Sequence, residues 1–113
     1  MSDPVYAVLD PFLELKLYRR GCSKKDDDRI MSAMVAVQES PRRPKGYRFK
    51  KLKFAGFYKI EIPLEDDTLA VTYEIWPLTQ EIRIAEVKEL GSLRKVKDTL
   101  FGLLDDIVPK KES

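Results

Sequence analysis

Phe57-Tyr58-Lys59-Ile60-Glu61-Ile62-Pro63 changes side-chain character at nearly every step, and Thr68-Leu69-Ala70-Val71-Thr72-Tyr73-Glu74-Ile75-Trp76 repeats the pattern after a turn at 64–67. A period of two is the mark of a strand with one buried and one open face. It sets Tyr58, Ile60 and Ile62 against Phe57, Lys59 and Glu61, and Leu69, Val71, Tyr73 and Ile75 against Ala70, Thr72, Glu74 and Trp76. A second turn falls at 77–80, and residues 81–87 return with Ile82 and Ile84 inward. Three strands joined by short turns make an antiparallel meander with a single apolar face.

That face needs a cover, and the flanking sequence offers helices. Ser23-Lys24-Lys25-Asp26 resembles a capping box, with Asp26, Asp27 and Asp28 suited to a helix N-terminus. Ile30, Met34 and Val37 follow at helical spacing with Met31 and Val35 beside them, and Pro41 forces Ser40 out of helix. Before this helix, residues 5–10 form an apolar run between Pro4 and Pro11, which reads as a first strand. Residues 12–20 are ambiguous: Leu13-Glu14-Leu15-Lys16-Leu17 alternates as a strand does, yet Leu13 and Leu17 also share a helical face, and pattern alone favours strand. After the meander, Gly91-Ser92 opens a last helix with an apolar seam at Leu93, Val96, Leu100, Leu103 and Ile107. Its early Arg94, Lys95 and Lys97 and late Asp105 and Asp106 oppose the helix dipole by about a few tenths of a kcal/mol each, so docking of the seam must hold it. The expected architecture is α+β in one domain over 1–113, with its core at about 5–108 and a frayed tail at 109–113.

Composition excludes much chemistry. There is no histidine and a single cysteine, Cys22, which removes Ser-His-Asp and Cys-His catalysis and nearly every zinc site. Cys22 reads as a small residue in a helix-to-helix turn. No glycine-rich phosphate loop is present, no apolar run is long enough to span a membrane, and Asp3 spoils a leader peptide, so a cytoplasmic protein without metal or cofactor is expected. Charge is more informative. Of 21 basic residues, seven fall between Arg42 and Lys53 (Arg42, Arg43, Lys45, Arg48, Lys50, Lys51, Lys53), leaving 14 against 19 acidic residues elsewhere. A basic stripe on an acidic remainder concentrates a polyanion at one place, and a phosphate backbone is the commonest such ligand.

The order of strand, helical hairpin, basic connector, meander and terminal helix resembles the RelE/ParE superfamily of toxins. Residues 35–42, Val-Ala-Val-Gln-Glu-Ser-Pro-Arg, are similar to the end of that family's second helix. Residues 52–62, Leu-Lys-Phe-Ala-Gly-Phe-Tyr-Lys-Ile-Glu-Ile, resemble its segment of glycine, aromatic pair and alternating charged and aliphatic residues, and Leu69 to Ile75 resemble its next strand. The likeness covers roughly 5–90 and implies a helix at 12–20. It also implies the toxin of a type II toxin–antitoxin pair, partnered by an antitoxin and acting on ribosome-bound mRNA without metal or cofactor. In such cleavage the ribose 2′-OH attacks the adjacent phosphate while fixed cations stabilise the developing charge.

Carried over residue by residue, the likeness matches Lys59 to a functional lysine; Lys53, Lys51 and Arg83 join it as catalytic candidates that would neutralise phosphate charge, with Glu61 as a candidate general base. The basic segment supplies the nucleic-acid-binding candidates Arg42, Arg43, Lys45, Arg48 and Lys50, with Tyr47 or Tyr58 stacking if its ring is exposed. Departures are plain. Glu61 stands where a second lysine is expected, Ala70 where an arginine is, and Glu89 or Leu90 where another is; no tyrosine follows. Lys59 and Arg83 share the open face with Glu61 and Glu74, which reads as cross-strand charge pairs. The alternative function is a family member that acts by binding, either a ParE-like gyrase inhibitor or one that has lost cleavage. Trp76 reads as a hydrophobic plug or, second, a base-stacking platform, and the terminal seam as a contact with its own domain, an antitoxin or a homodimer partner.

Overall fold

The structure is a computed structural model that describes residues 5–91. Its elements, in chain order, are β1 (Ala7–Leu9), α1 (Glu14–Arg20), α2 (Lys24–Glu39), β2 (Arg48–Lys51), β3 (Phe57–Pro63), β4 (Thr68–Trp76) and β5 (Glu81–Glu89). The five strands form one sheet in the order β1-β5-β4-β3-β2. β2 to β5 are antiparallel neighbours, while β1 lies parallel to β5 with Ala7 opposite Glu81.

The core is the face that the period-two pattern selects. Tyr58, Ile60, Ile62, Leu69, Val71, Tyr73, Ile75, Ile82 and Ile84 are all buried there, packed against Leu15 of α1 and Ile30, Ala33, Met34 and Val37 of α2. Burying each large aliphatic side chain is worth about 1.5–3 kcal/mol, so this one layer carries the fold. A β-bulge between Thr72 and Tyr73, with Ala85 as the extra residue on β5, shifts the alternation so that Val87 rather than Glu86 follows Ile84 onto the core side. Beyond the short β1, the exposed edge of β5 is met by α1: Glu14 accepts a hydrogen bond from the Val87 N–H at 3.0 Å, and the Tyr18 hydroxyl donates to Glu89 at 2.8 Å.

Several expectations need correction, while the helix at 12–20 that the family likeness implied is present as α1. The basic segment is not only a connector, because its second half is a strand. Arg48 and Lys50 alternate with Phe49 and Lys51, but β2 is an outer strand exposed along its whole length, so no apolar period marks it. The sheet is therefore mixed and five-stranded, with a four-stranded antiparallel run, and is larger than the expected meander. Residues 14–20 are helical, as the family likeness implied and against the bare pattern. Leu13 enters that helix in the left-handed region at φ 57° without a side-chain cap; Asp10 substitutes by accepting from the Lys16 N–H at 2.8 Å. Leu13 and Leu17, which share a helical face in the sequence pattern, are both exposed, and Leu15 is the buried residue. On α2 the exposed Met31 and Val35 flank the buried stripe and do not join it. The terminal helix and its seam lie outside the described residues.

α2 starts where the sequence says. Ser23 is its N-cap and accepts from the Asp26 N–H at 3.2 Å. The two helices are tied by Arg19 to Asp27 at 2.6 Å, and that guanidinium holds the Asp27 carboxyl below the usual carboxylate range. Replacing Ser23 by alanine leaves the Asp26 N–H to water and is expected to cost about 1 kcal/mol, read as a lower urea midpoint with an unchanged slope.

Candidate nucleic-acid interface

The basic segment starts from a fixed point. Pro41 is buried at the end of α2, and the Tyr73 hydroxyl donates to its carbonyl at 2.6 Å from inside the core. Pro44 is fully buried as a second anchor, and Gly46 turns the chain at φ +86°, a conformation that side chains disfavour. β2 follows, and the hairpin to β3 closes through Leu52 N–H to the Phe57 carbonyl at 2.9 Å, with Gly56 at φ +83°.

This path divides the seven cations. Arg42 and Arg43 sit at the α2 exit beside Tyr6, Glu39 and Gln80. Lys45 borders a depression with Val35, Ala36 and Tyr47. Arg48 and Lys50 lie on the polar face of the sheet, in register with Glu61 and Lys59 respectively. Lys51 is opposite Tyr58 and so projects from the helix side of the sheet, and Lys53 is in the hairpin turn. The expected single stripe is therefore several patches, and Lys51 and Lys59 do not share a face. Among the described residues, none of the seven forms an ion pair within 4.0 Å.

One patch joins the two sets of predicted residues. Arg48, Lys50 and Lys59 line a groove of about 490 Å³ with Tyr47, Phe49 and a single carboxylate, Glu61. Lys50 stands directly across from Lys59, and like charges in that position repel. Ala70 is on the other side of Glu61, so β4 adds no charge to this row. In the sequence, Arg48 and Lys50 belong to the basic connector and Lys59 to the meander. The short loop containing Gly56 between two charged stretches is a signal for a hairpin, but it does not set the register that puts Lys50 opposite Lys59.

Two assigned residues are otherwise engaged. Tyr58 is 8% exposed and its ring stacks on Tyr73 with centroids 6.1 Å apart, so it belongs to the core and cannot receive a base. Tyr47, half-buried at the groove, keeps that possibility. Arg83 donates through Nε and Nη2 to Glu81 at 3.3 and 3.0 Å, and its guanidinium carbon lies 3.7 Å above the Trp76 ring. Glu74 is opposite Arg83 in register, but the ion pair runs along the strand to Glu81 instead. Trp76 is partly exposed under that guanidinium, which does not fit a buried plug.

Cys22 is in the turn between the helices, and its thiol is pushed up by burial and then by the carboxylates of Asp26, Asp27 and Glu89. Its alkylation by iodoacetamide at pH 8 is expected to be slower than that of a free cysteine, which a mass-spectrometric time course measures. Among the described residues no group of His, Cys, Asp or Glu could hold a metal ion, and no helix is long and apolar enough to cross a membrane.

A mixed sheet with a helical hairpin on one face and a cation-bearing polar face on the other defines a small α+β domain of RelE-like fold. The comparison that supports this is the E. coli toxin RelE, solved in the free state as a double arginine-to-alanine mutant, with a TM-score of 0.54 and 20% identity over 74% of this chain and 81% of that one. No protein-family profile matches the chain, and no curated protein does.

Proposed function

We propose that this protein is the toxin of a type II toxin–antitoxin pair and a metal-independent endoribonuclease acting on ribosome-bound mRNA. The observation that carries the reading is the Lys50–Lys59 pair: two lysines in direct register, flanked by Arg48, with none of the described carboxylates ion-paired to any of the three. An RNA phosphate between them relieves the repulsion and receives two donors at once. Cleavage then needs few groups. The Glu61 carboxylate takes the proton of a ribose 2′-OH, whose oxygen bonds to the adjacent phosphorus. The bond to the 5′-oxygen breaks, that oxygen takes a proton from the Lys59 ammonium, and Lys50 and Arg48 stabilise the charge of the five-coordinate state. The products are a 2′,3′-cyclic phosphate and a 5′-hydroxyl. Lys51, Lys53, Arg42, Arg43 and Lys45, off that row, are assigned to contacts with ribosomal RNA, and the antitoxin neutralises the toxin by covering it.

A second reading, a protein that acts by binding alone, is favoured by Ala70 in the row beside Glu61 and by the Arg83 charge being spent on Glu81. Primer extension on cellular mRNA after induced expression separates them. Discrete cuts at A-site codons with the native chain, absent with Lys59→Ala and Glu61→Gln, are the expected result. Intact mRNA under growth arrest would reject the nuclease, and stalled replication in the same cells would point to gyrase.

A further inference from the structure

The polar face carries more than charge. Phe57, Glu74 and Arg83 form the row next to Lys50, Lys59 and Thr72, and Trp76 lies in the row beyond, opposite Glu81. Successive rows are about 7 Å apart, twice the rise per residue of a strand. Trp76 is 38% exposed, Phe57 is half-buried, and Phe54, exposed in the hairpin turn, meets the Phe57 ring edge-on with centroids 6.4 Å apart. Leaving an indole and the Phe54 ring exposed beside a half-exposed Phe57 groups three aromatic rings at one end of the open face. The Arg83 guanidinium carbon sits 3.7 Å from the centre of the indole ring, and Glu81 holds the guanidinium there through two hydrogen bonds.

Resting on the reading that the Lys50–Lys59 groove binds RNA, we infer that Phe57, Trp76 and Arg83 form a base-stacking platform, so that the substrate is an unpaired strand whose bases lie on this end of the sheet. The chemistry selects this occupant. Aromatic rings and guanidinium planes are the two surfaces on which unpaired bases stack, and a cationic groove beside them tracks the backbone. The platform is continuous with that groove: Phe57 and Lys59 are alternate residues of one strand and project from one face. A duplex keeps its bases within its own stack and gains nothing from the rings.

Trp76 is the single tryptophan of the chain, so its fluorescence reports on the platform directly. The native protein is titrated with single-stranded oligoadenosine, with a duplex of equal length and with inorganic polyphosphate at one salt concentration. The single strand is expected to change Trp76 emission and polyphosphate to leave it unchanged, while the duplex binds more weakly than the strand. Trp76→Ala is expected to weaken single-strand binding roughly fivefold to a hundredfold and to spare polyphosphate binding, with Trp76→Phe restoring most of the loss. Salt-dependent RNA binding with unmoved emission, and equal affinity in Trp76→Ala, would overturn the platform and leave the lysine groove standing. Equal binding of strand and duplex would overturn it too. Polyphosphate binding without any RNA binding would remove both readings.

Discussion

Replacing Lys50 and Lys59 together by alanine is expected to stabilise the protein while weakening its hold on RNA. The two lysines stand opposite each other across β2 and β3, and none of the described carboxylates is ion-paired with either. Opposed like charges on a sheet cost about 0.2–1 kcal/mol, so the double variant gains stability of that order, visible as a higher urea midpoint. RNA binding moves the other way. Each phosphate contact contributes about 0.7 to the slope of log affinity against log salt for a single strand, so losing two lowers the slope by about 1.4. Anisotropy titrations with a labelled oligonucleotide at four salt concentrations measure it. A variant with unchanged stability and unchanged slope would mean that the pair is neither strained nor in contact with RNA.

Tyr73→Ala is expected to be the most damaging single change, costing about 3–5 kcal/mol, a large part of the 5–15 kcal/mol that holds a domain together. Tyr73 is fully buried at the middle of the sheet, stacked on Tyr58, and its hydroxyl holds the Pro41 carbonyl at 2.6 Å. The alanine variant removes the ring from the core and the tether from the basic segment together. Tyr73→Phe isolates the tether: it leaves one buried carbonyl without its donor, at a cost of about 1–3 kcal/mol. Urea denaturation gives both values. Hydrogen exchange on the phenylalanine variant is expected to accelerate at Arg42 and Arg43 but not in β4. Uniform acceleration would show that the hydroxyl supports the core and not the segment.

Much of the fold was legible because its driving force is one amphipathic layer. The alternation from Tyr58 to Ile84 gave the core residues by name, and Ser23 with Asp26 gave the start of α2. What stayed hidden had no burial to announce it. β2 is exposed along its length, so its pairing with β3 leaves no trace in hydrophobicity, and the register that puts Lys50 beside Lys59 could not be read from spacing. α1 misled for a related reason: one buried residue, Leu15, is too little to set a period, and the alternation around it is incidental. The site was legible in residue type and not in grouping. Lys59, Arg48 and Lys50 meet, whereas Tyr58 turned inward because an aromatic pair on a strand must send one ring to each face. The Arg83–Trp76 contact needed a diagonal across two strands that adjacent turns alone do not specify.

The two margins of the sheet are finished differently. On the β1 side, Gln38 of α2 exchanges bonds with the Tyr6 backbone at 3.2 and 3.0 Å and seals part of it. β2, on the opposite side, is guarded by Arg48, Lys50 and Lys51, whose mutual repulsion keeps a second copy from zipping onto it. Such a guard works only while its charges are uncompensated. A long polyanion that neutralises them also removes the barrier to self-association, so solutions of this protein are expected to turn cloudy when a ribopolymer is added at low salt and to clear again with sodium chloride, which light scattering measures.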